Sequence, residues 1–228
     1  MPVAHDPTLH ASDVAVLCSG GLDSVVLVAD LASSADVQPI YIASGLAWEG
    51  GEQKVLSDAL VELSARYTRI RPLVTLVVPM TDLYPPTHWA IGGVPPGCDT
   101  PDEDVYIVGR NVTLITKAAV YCALHQIPRL CLAPLAGNPF PDATPAFFAA
   151  MAHALTLGLS SALTIEAPYR TWSKVDVIRR GQALAVPMAL TVSCMKPDDV
   201  RHCGSCSKCR ERHVAFLDAL GDDPTIYK

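Results

Sequence analysis

Apolar residues in this chain fall into short runs that alternate with longer stretches of mixed polarity. This alternation predicts an α/β fold, in which a mainly parallel five-stranded sheet has helices on both faces. The runs with the length and composition of strands are residues 14–18, 39–43, 73–78, 130–134 and 162–167. The predicted helices are residues 22–33, 49–67, 112–125, 144–157, 174–184 and 210–220, and residues 79–104 and 137–145 are predicted to be irregular.

Length and composition limit the classes of protein to consider. The 228 residues suit one α/β domain, residues 1–190, followed by a small C-terminal segment, residues 191–228. We expect a cytoplasmic protein without membrane contact, because no apolar run is long enough to span a bilayer and residues 1–12 lack the pattern of a secretory signal. The net charge of −6 argues against nucleic acid as the main ligand.

The loop between the first predicted strand and the first predicted helix has the sequence SGGLDS, at residues 19–24. Glycines allow the backbone to turn sharply, and the free amides at the start of a helix attract an anion. The loop resembles the SGGxDS loop of the ATP pyrophosphatase superfamily, and an ordinary connection between strand and helix is the alternative. The resemblance implies that the pyrophosphate of ATP is bound by Cys18, Ser19, Gly20, Gly21, Leu22, Asp23 and Ser24.

Four of the eight cysteines are close together near the carboxyl end. They are Cys194, Cys203, Cys206 and Cys209, in the pattern C-x8-C-x2-C-x2-C. Four thiolates satisfy the tetrahedral preference of zinc and leave no position for water, so the spacing predicts a structural zinc site. Disulfides and an iron–sulfur cluster are the alternatives. The excess of basic residues over residues 193–213 balances the charge of a four-thiolate zinc site, which favours a metal centre over a nucleic-acid surface.

Together with SGGLDS, several further motifs resemble the 7-cyano-7-deazaguanine synthase family. These are Gly109-Arg110-Asn111, Lys174 at the start of a predicted helix, and Cys203-Gly204-x-Cys206-x-Lys208-Cys209-x-x-Arg212. The resemblance covers most of the chain, and the cysteine segment is its most specific part. It implies an ATP-dependent carbon–nitrogen ligase with an adenine nucleotide alpha hydrolase-like, Rossmann-like fold.

The resemblance also implies a reaction and its participants. The carboxylate of 7-carboxy-7-deazaguanine is adenylated, ammonia attacks, and the amide is activated again and dehydrated to the nitrile preQ0, a precursor of queuosine. The implied cofactors are ATP, Mg²⁺ and zinc. The implied small-molecule partners are a heterocyclic acid and ammonia, and the predicted assembly is a homodimer. Asp23, Arg110 and Lys174 are the implied catalytic residues. From the sequence alone, each catalytic role has an alternative of equal weight. Arg110 is then only a surface charge before a helix, and Lys174 is only a solvated residue in the first turn of its helix.

Two segments depart from the family, and they leave the substrate open. Residues 44–49 and 136–144 stand where the family has Tyr-Gly-Gln-Arg-type and Asp-Tyr-Ser-Gly-Tyr-Pro-Asp-Cys-Arg-type segments. The predicted substrate-binding residues are Trp48, Arg110, Asn111, Phe140 and Asp142. Trp48 and Phe140 either stack on a flat ring or belong to the core. Asp142 either accepts hydrogen bonds from a purine-like ring or caps the helix that begins near Thr144.

Three other hypotheses remain open from the sequence. The first is an enzyme that amidates a different heterocyclic acid, and the second is a tRNA-modifying or sulfur-transferring member of the same superfamily. The third is a protein of another class, a non-catalytic ATP-binding zinc scaffold.

Overall fold

A five-stranded parallel sheet lies at the centre of the structure, a computed structural model that describes residues 13–198 and 201–228. The strand order is β3-β2-β1-β4-β5, and every neighbouring pair is parallel. The predicted α/β fold is therefore confirmed. The strands are β1 (Val14–Leu17), β2 (Val37–Ala43), β3 (Val74–Val77), β4 (Arg129–Cys131) and β5 (Thr164–Glu166).

Helices cover both faces of this sheet. In chain order they are α1 (Leu22–Ala32), α2 (Glu49–Ser64), α3 (Trp89–Gly92), α4 (Arg110–Leu124), α5 (Pro145–Leu159), α6 (Lys174–Ala183) and α7 (Ser207–Leu220). Helices α1, α2, α6 and α7 contribute to the core on one face, and α4 and α5 to the core on the other. Short 3-10 helices lie at Asp102–Val105, Pro141–Ala143 and Met188–Leu190.

The central strand β1 shows why the sequence forms this arrangement. Val14 and Val16 pack into the core beside α1, whereas Ala15 between them packs into the core beside α4. A strand covered on both faces is apolar throughout instead of alternating with polar residues. All five strands run in the same direction, so their carboxyl ends meet at one edge of the sheet, where ligands bind in open α/β folds.

Some predicted boundaries were wrong, and local contacts explain the differences. Strand β2 begins at Val37 instead of residue 39, because Val37 already pairs with Val14 of β1. Helix α7 begins at Ser207 instead of residue 210, because Cys206 occupies the position before its first turn. Helix α3 lies inside residues 79–104, which were predicted to be irregular, and the His88 ring caps it by accepting from the Ala90 amide.

The C-terminal segment packs directly against the sheet domain. Ala215 and Phe216 of α7 are buried in the same core as Val25 and Val28 of α1. The Val192 amide donates to the Gly20 carbonyl at 2.9 Å. The proposed division at residue 190 stays a prediction.

The structure bears on one of two expectations about membranes and export. Among the residues described here, no helix is both long enough and apolar enough to cross a membrane. The expectation that no secretory signal is present concerns residues 1–12, which lie outside the described residues.

Candidate active site

The SGGLDS loop connects the carboxyl end of β1 to the start of α1. Two serine hydroxyls shape it: the Ser19 amide donates to Ser24 Oγ at 3.3 Å, and the Gly21 amide donates to Ser19 Oγ at 3.3 Å. Ser24 Oγ in turn donates to the Gly21 carbonyl at 2.9 Å. Helix α1 starts at Leu22, so its first backbone amides have no intrahelical acceptors. The loop therefore presents free donors at the end of the sheet where a phosphate group would bind.

Cys18 lies directly before this loop and borders the cleft with a mostly buried side chain. Its side chain is buried, its thiol lies 3.5 Å from Ser24 Oγ, and burial raises the pKa of the thiol to about 11. A buried, protonated thiol is a packing residue and not a nucleophile.

Gly20 is the position in the loop that a side chain would disturb most. Its φ of +78° lies in the left-handed region, and a Cβ added there would lie 2.8 Å from the Glu52 carbonyl oxygen. Both facts require glycine at this position.

We expect Gly20→Ala to lower the free energy of unfolding by at least about 1–2 kcal/mol and to weaken nucleotide binding. Urea denaturation and calorimetric titration with magnesium nucleotide measure the two effects. Gly50→Ala on α2 is the control, because a Cβ there meets no atom of the described residues within 4 Å. Equal stability and equal nucleotide affinity of the two variants would contradict this account of the loop.

Four charged side chains lie on one wall of the site. Lys174 Nζ is 2.5 Å from Asp23 Oδ2 and 3.8 Å from Glu211 Oε1, and Lys208 Nζ is 2.9 Å from Glu211 Oε2. Burial alone would raise the pKa of Glu211, but the two ammonium groups hold it below its ordinary value. Lys174 is therefore a largely enclosed partner of the SGGLDS loop and not a solvated residue of its helix.

Arg110, the first residue of α4, faces the site from the other side. Its guanidinium lies 5.8 Å from the centre of the Trp48 ring, and its Nε is buried with no hydrogen-bond partner in the part of the chain that is described. Trp48 also stacks on Trp89 at 5.3 Å. Trp48 is thus a mostly buried residue that forms part of the cleft wall.

Glu52 of α2 lines the cleft together with this arginine, and the sequence did not predict it as a site residue. The Tyr41 hydroxyl donates to Glu52 Oε2 at 3.0 Å. Burial raises the pKa of Glu52 to about 7, although Arg110 and the Tyr41 hydroxyl both favour the charged form. Glu49, one turn earlier, binds the backbone amides of Ser44 and Gly45 at 2.6 and 2.9 Å and so fixes the chain after β2.

The remaining predicted substrate residues take different positions. Phe140 is half-buried and stacks on Tyr106 at 5.2 Å. Asp142 is buried, and its Oδ2 accepts from the Asn111 amide at 3.1 Å, while Asn111 Nδ2 donates to the Asp142 carbonyl at 3.0 Å. Asp142 therefore caps α4. The alternative that it caps the helix near Thr144 is wrong, because the Thr144 hydroxyl performs that function by accepting from the Phe147 amide.

These residues surround a cleft of two adjoining chambers, of about 350 and 250 Å³. The larger chamber extends from the SGGLDS loop to residues 192–195 of the C-terminal segment. The smaller chamber lies over the carboxyl ends of β1, β2 and β4 and includes Asn111 in its wall. The residues that line both chambers include Ser19, Gly21, Asp23, Glu52, Arg110 and Phe140. Asp142 is not among the lining residues of either chamber.

The four predicted metal ligands converge at one point beside the larger chamber. The sulfur atoms of Cys194, Cys203, Cys206 and Cys209 all lie within 4.8 Å of one another. The Cys206 and Cys209 sulfurs are 3.5 Å apart, and those of Cys203 and Cys209 are 3.9 Å apart. None of the eight cysteines forms a disulfide. The cluster is thus able to hold a metal ion.

A buried arginine fastens the chain around this cluster. Arg212 of α7 donates to the Met188 carbonyl at 2.8 Å, to Thr191 Oγ1 at 2.9 Å and to Thr225 Oγ1 at 2.6 Å. Its guanidinium also lies over the Phe216 ring. These contacts join both sides of the cysteine segment to the body of the protein.

The comparison with protein families gives a match over the part of the chain that contains Arg110, Lys174 and the cysteine cluster. Residues 97–220, more than half of the chain, match the family model described as queuosine biosynthesis protein QueC. The chain belongs to the QueC family. The resemblance found in the sequence is therefore confirmed, and the protein is an enzyme of this family of synthases.

Relatives of the QueC family extend the match over nearly the whole chain. The 7-cyano-7-deazaguanine synthase of Methanoculleus marisnigri is 30% identical, over 93% of this chain and 97% of the relative. The enzyme of the same name from Aromatoleum aromaticum is 32% identical, over 93% and 96%. That of Porphyromonas gingivalis is 28% identical, over 95% and 97%. This shared name favours the main hypothesis over the tRNA-modifying and scaffold hypotheses.

A solved structure also aligns with the chain. The U34-tRNA thiolase NcsA from Methanococcus maripaludis, determined with its 4Fe-4S cluster, is 12% identical with a TM-score of 0.49, over 96% of this chain and 71% of the thiolase.

Proposed function

We propose that this protein converts 7-carboxy-7-deazaguanine, ammonia and ATP into 7-cyano-7-deazaguanine. The observation that carries the proposal is membership of the QueC family. Relatives named 7-cyano-7-deazaguanine synthase align over nearly the full chain. A carboxylate oxygen is a poor leaving group, and transfer of AMP to it creates a good one. Ammonia then displaces AMP to give an amide, which a second activation converts to the nitrile.

The phosphate groups of ATP would bind at the SGGLDS loop. The first backbone amides of α1 supply positive partial charges at a fixed position, so no rearrangement is needed as charge develops. Lys174, held at the loop by Asp23, adds a full positive charge. These groups would stabilise the pyrophosphate as it leaves.

Asp23 fits the predicted Mg²⁺. Its Oδ1 is buried and has no hydrogen-bond partner within the described chain, and a carboxylate oxygen is a ligand that Mg²⁺ prefers. When bound, Mg²⁺ would neutralise the phosphate oxygens. The role of Asp23 would be to hold that ion and to orient Lys174.

Arg110 is placed to bind the acid. Its Nε is buried in the cleft wall and has no hydrogen-bond partner among the described residues. A guanidinium binds a carboxylate with two parallel hydrogen bonds. The contact with Trp48 limits the directions that the guanidinium can take. The heterocycle would lie between Trp48, Asn111 and Phe140. Asp142 would act indirectly, by fixing the position of Asn111, and not by contact with the substrate.

Zinc is the metal proposed for the cysteine cluster. Four sulfurs bound to one zinc at about 2.3 Å are separated by about 3.8 Å, close to the spacings found between these cysteines. A four-iron cluster binds each cysteine through a different iron and would hold the sulfurs farther apart. Four thiolates complete the shell of zinc, so its role is structural. The homodimer and the cytoplasmic location stay predictions.

The direct test supplies the purified protein with ATP, Mg²⁺, ammonium and 7-carboxy-7-deazaguanine. We expect mass spectrometry to detect the amide and the nitrile, and chromatography to detect AMP. Unchanged acid with retained nucleotide binding would contradict the proposal and favour the scaffold hypothesis. Conversion of a different heterocyclic acid only would assign the protein to a divergent branch, consistent with its altered residues 44–49 and 136–144.

A further inference from the structure

Glu52 lies where the two chambers of the cleft meet. It belongs to the wall of both chambers, as does Arg110, and its own main-chain carbonyl faces Gly20 of the phosphate loop. In the proposed reaction the nucleotide and the acid must meet at such a junction. Asp23, the other carboxylate that lines both chambers, is already engaged by Lys174.

The groups around Glu52 come from every element packed against it. They are the Tyr41 hydroxyl of β2, Arg110 of α4, Glu49 of its own helix, the Trp48 side chain directly before that helix and the Cys18 thiol beside the phosphate loop. Burial, reinforced by Glu49, opposes ionisation of Glu52, while Arg110 and the hydrogen bonds from Tyr41 and Trp48 favour it. The resulting pKa of about 7 allows this carboxyl group both to accept and to release a proton near neutral pH.

We propose that Glu52 is the proton acceptor for the attack of ammonia on the activated acid, an inference that rests on the proposed function. The ammonia nitrogen forms a bond to the acyl carbon, and the nitrogen becomes positively charged. One of its protons passes to the Glu52 carboxylate, and the bond from carbon to the AMP oxygen breaks with its electron pair remaining on AMP. The product is the neutral amide, and Glu52 then returns its proton to solvent.

The proposal separates the two chemical steps of the enzyme. Adenylation of the acid transfers no proton, so it does not need Glu52. Amide formation needs Glu52, because an adduct of ammonia and the activated acid that keeps its extra proton expels ammonia in preference to AMP. A substitution at Glu52 should therefore affect the second step alone.

The experiment compares Glu52→Gln with the wild-type protein in two assays. We expect acid-dependent exchange of labelled pyrophosphate into ATP to stay near the wild-type rate, and single-turnover amide formation to fall by about 10²-fold. Glu62→Gln is the matched control, because Glu62 lies exposed on the same helix. It should leave both rates unchanged.

A second variant tests the proton transfer itself. With the concentration of free NH3 held constant, the wild-type rate of amide formation should rise with pH through about 7, because only ionised Glu52 accepts a proton. Tyr41→Phe removes a hydrogen bond that stabilises the carboxylate, so the rise should move to higher pH by about one unit. A merely structural contact would not move it.

The possible results are distinguishable. Wild-type amide formation by Glu52→Gln, or an unchanged pH profile in Tyr41→Phe, would overturn the role of Glu52 while leaving the proposed function intact. Loss of exchange together with amide formation in Glu52→Gln would also overturn it, because adenylation would then depend on the same residue. No acid-dependent exchange in the wild-type protein would contradict the proposed function and this inference with it.

Discussion

Asp23→Asn should lower acid-dependent exchange of pyrophosphate into ATP by about 10³-fold or more. Asp23 Oδ2 lies 2.5 Å from Lys174 Nζ, and Oδ1 is the oxygen proposed for Mg²⁺. An amide keeps the shape of the carboxylate but removes its negative charge, so it would no longer hold Lys174 at the phosphate loop or bind the ion. Exchange kinetics and a thermal unfolding curve measure activity and fold separately.

Asp30→Asn provides a matched control on the same helix. Asp30 joins α1 to α6 as Asp23 does, through Arg180 at 2.5 Å, but it lies outside the cleft lining. It also accepts from the Tyr169 hydroxyl at 2.9 Å. We expect this variant to lose about 1 kcal/mol of stability and to keep its exchange activity. Equal loss of exchange in both variants would show that the α1–α6 connection matters and that Asp23 has no special role.

The sequence was sufficient for most of the fold because the relevant signals are local. Strand β1 is a continuous apolar run, the glycine loop follows at once, and α1 is apolar on nearly every side, so each neighbour supports the same interpretation. Boundaries were less accurate where a distant contact sets them. Strand β2 extends back to Val37 because β1 pairs with it there, a fact that the local residues of β2 do not contain.

The candidate site divides in the same way. The cysteine cluster and the SGGLDS loop are contiguous motifs whose spacing alone brings their atoms together, and the structure places them as the spacing indicates. Glu52 was missed because its partners, Tyr41 and Arg110, come from β2 and α4. Acidic residues in the first turn of a helix are ordinary, and only tertiary contact distinguishes this one. The role of Asp142 as the cap of α4 depends likewise on a contact across 31 residues.

The cysteine cluster is connected to the cleft at more than one point. Val192, two residues before Cys194, donates its amide to the Gly20 carbonyl of the phosphate loop. On the opposite side, Gly97 forms a backbone bridge with Cys206, which attaches the segment that carries Trp89 to the cluster. A metal ion that fixes the cysteines would therefore also fix two walls of the cleft.

Cys206→Ser should consequently abolish both metal binding and activity. Structural zinc contributes an apparent 10–16 kcal/mol in small zinc domains, which is as large as the whole stability of a typical protein. We expect the variant to retain little zinc by mass spectrometry of metals, to unfold at a lower temperature, and to lose synthase activity. Absence of visible absorption in the wild-type protein would distinguish zinc from an iron–sulfur cluster.

Cys98→Ser is the control for this substitution, because Cys98 follows Gly97 but does not belong to the cluster. It should keep the metal and the activity of the wild-type protein. A fully active, stable Cys206→Ser variant would contradict a structural metal. Loss of synthase activity with zinc and thermal stability retained would instead mean that Cys206 acts directly in the cleft. The burial of Cys206 before the first turn of α7 argues against such a role.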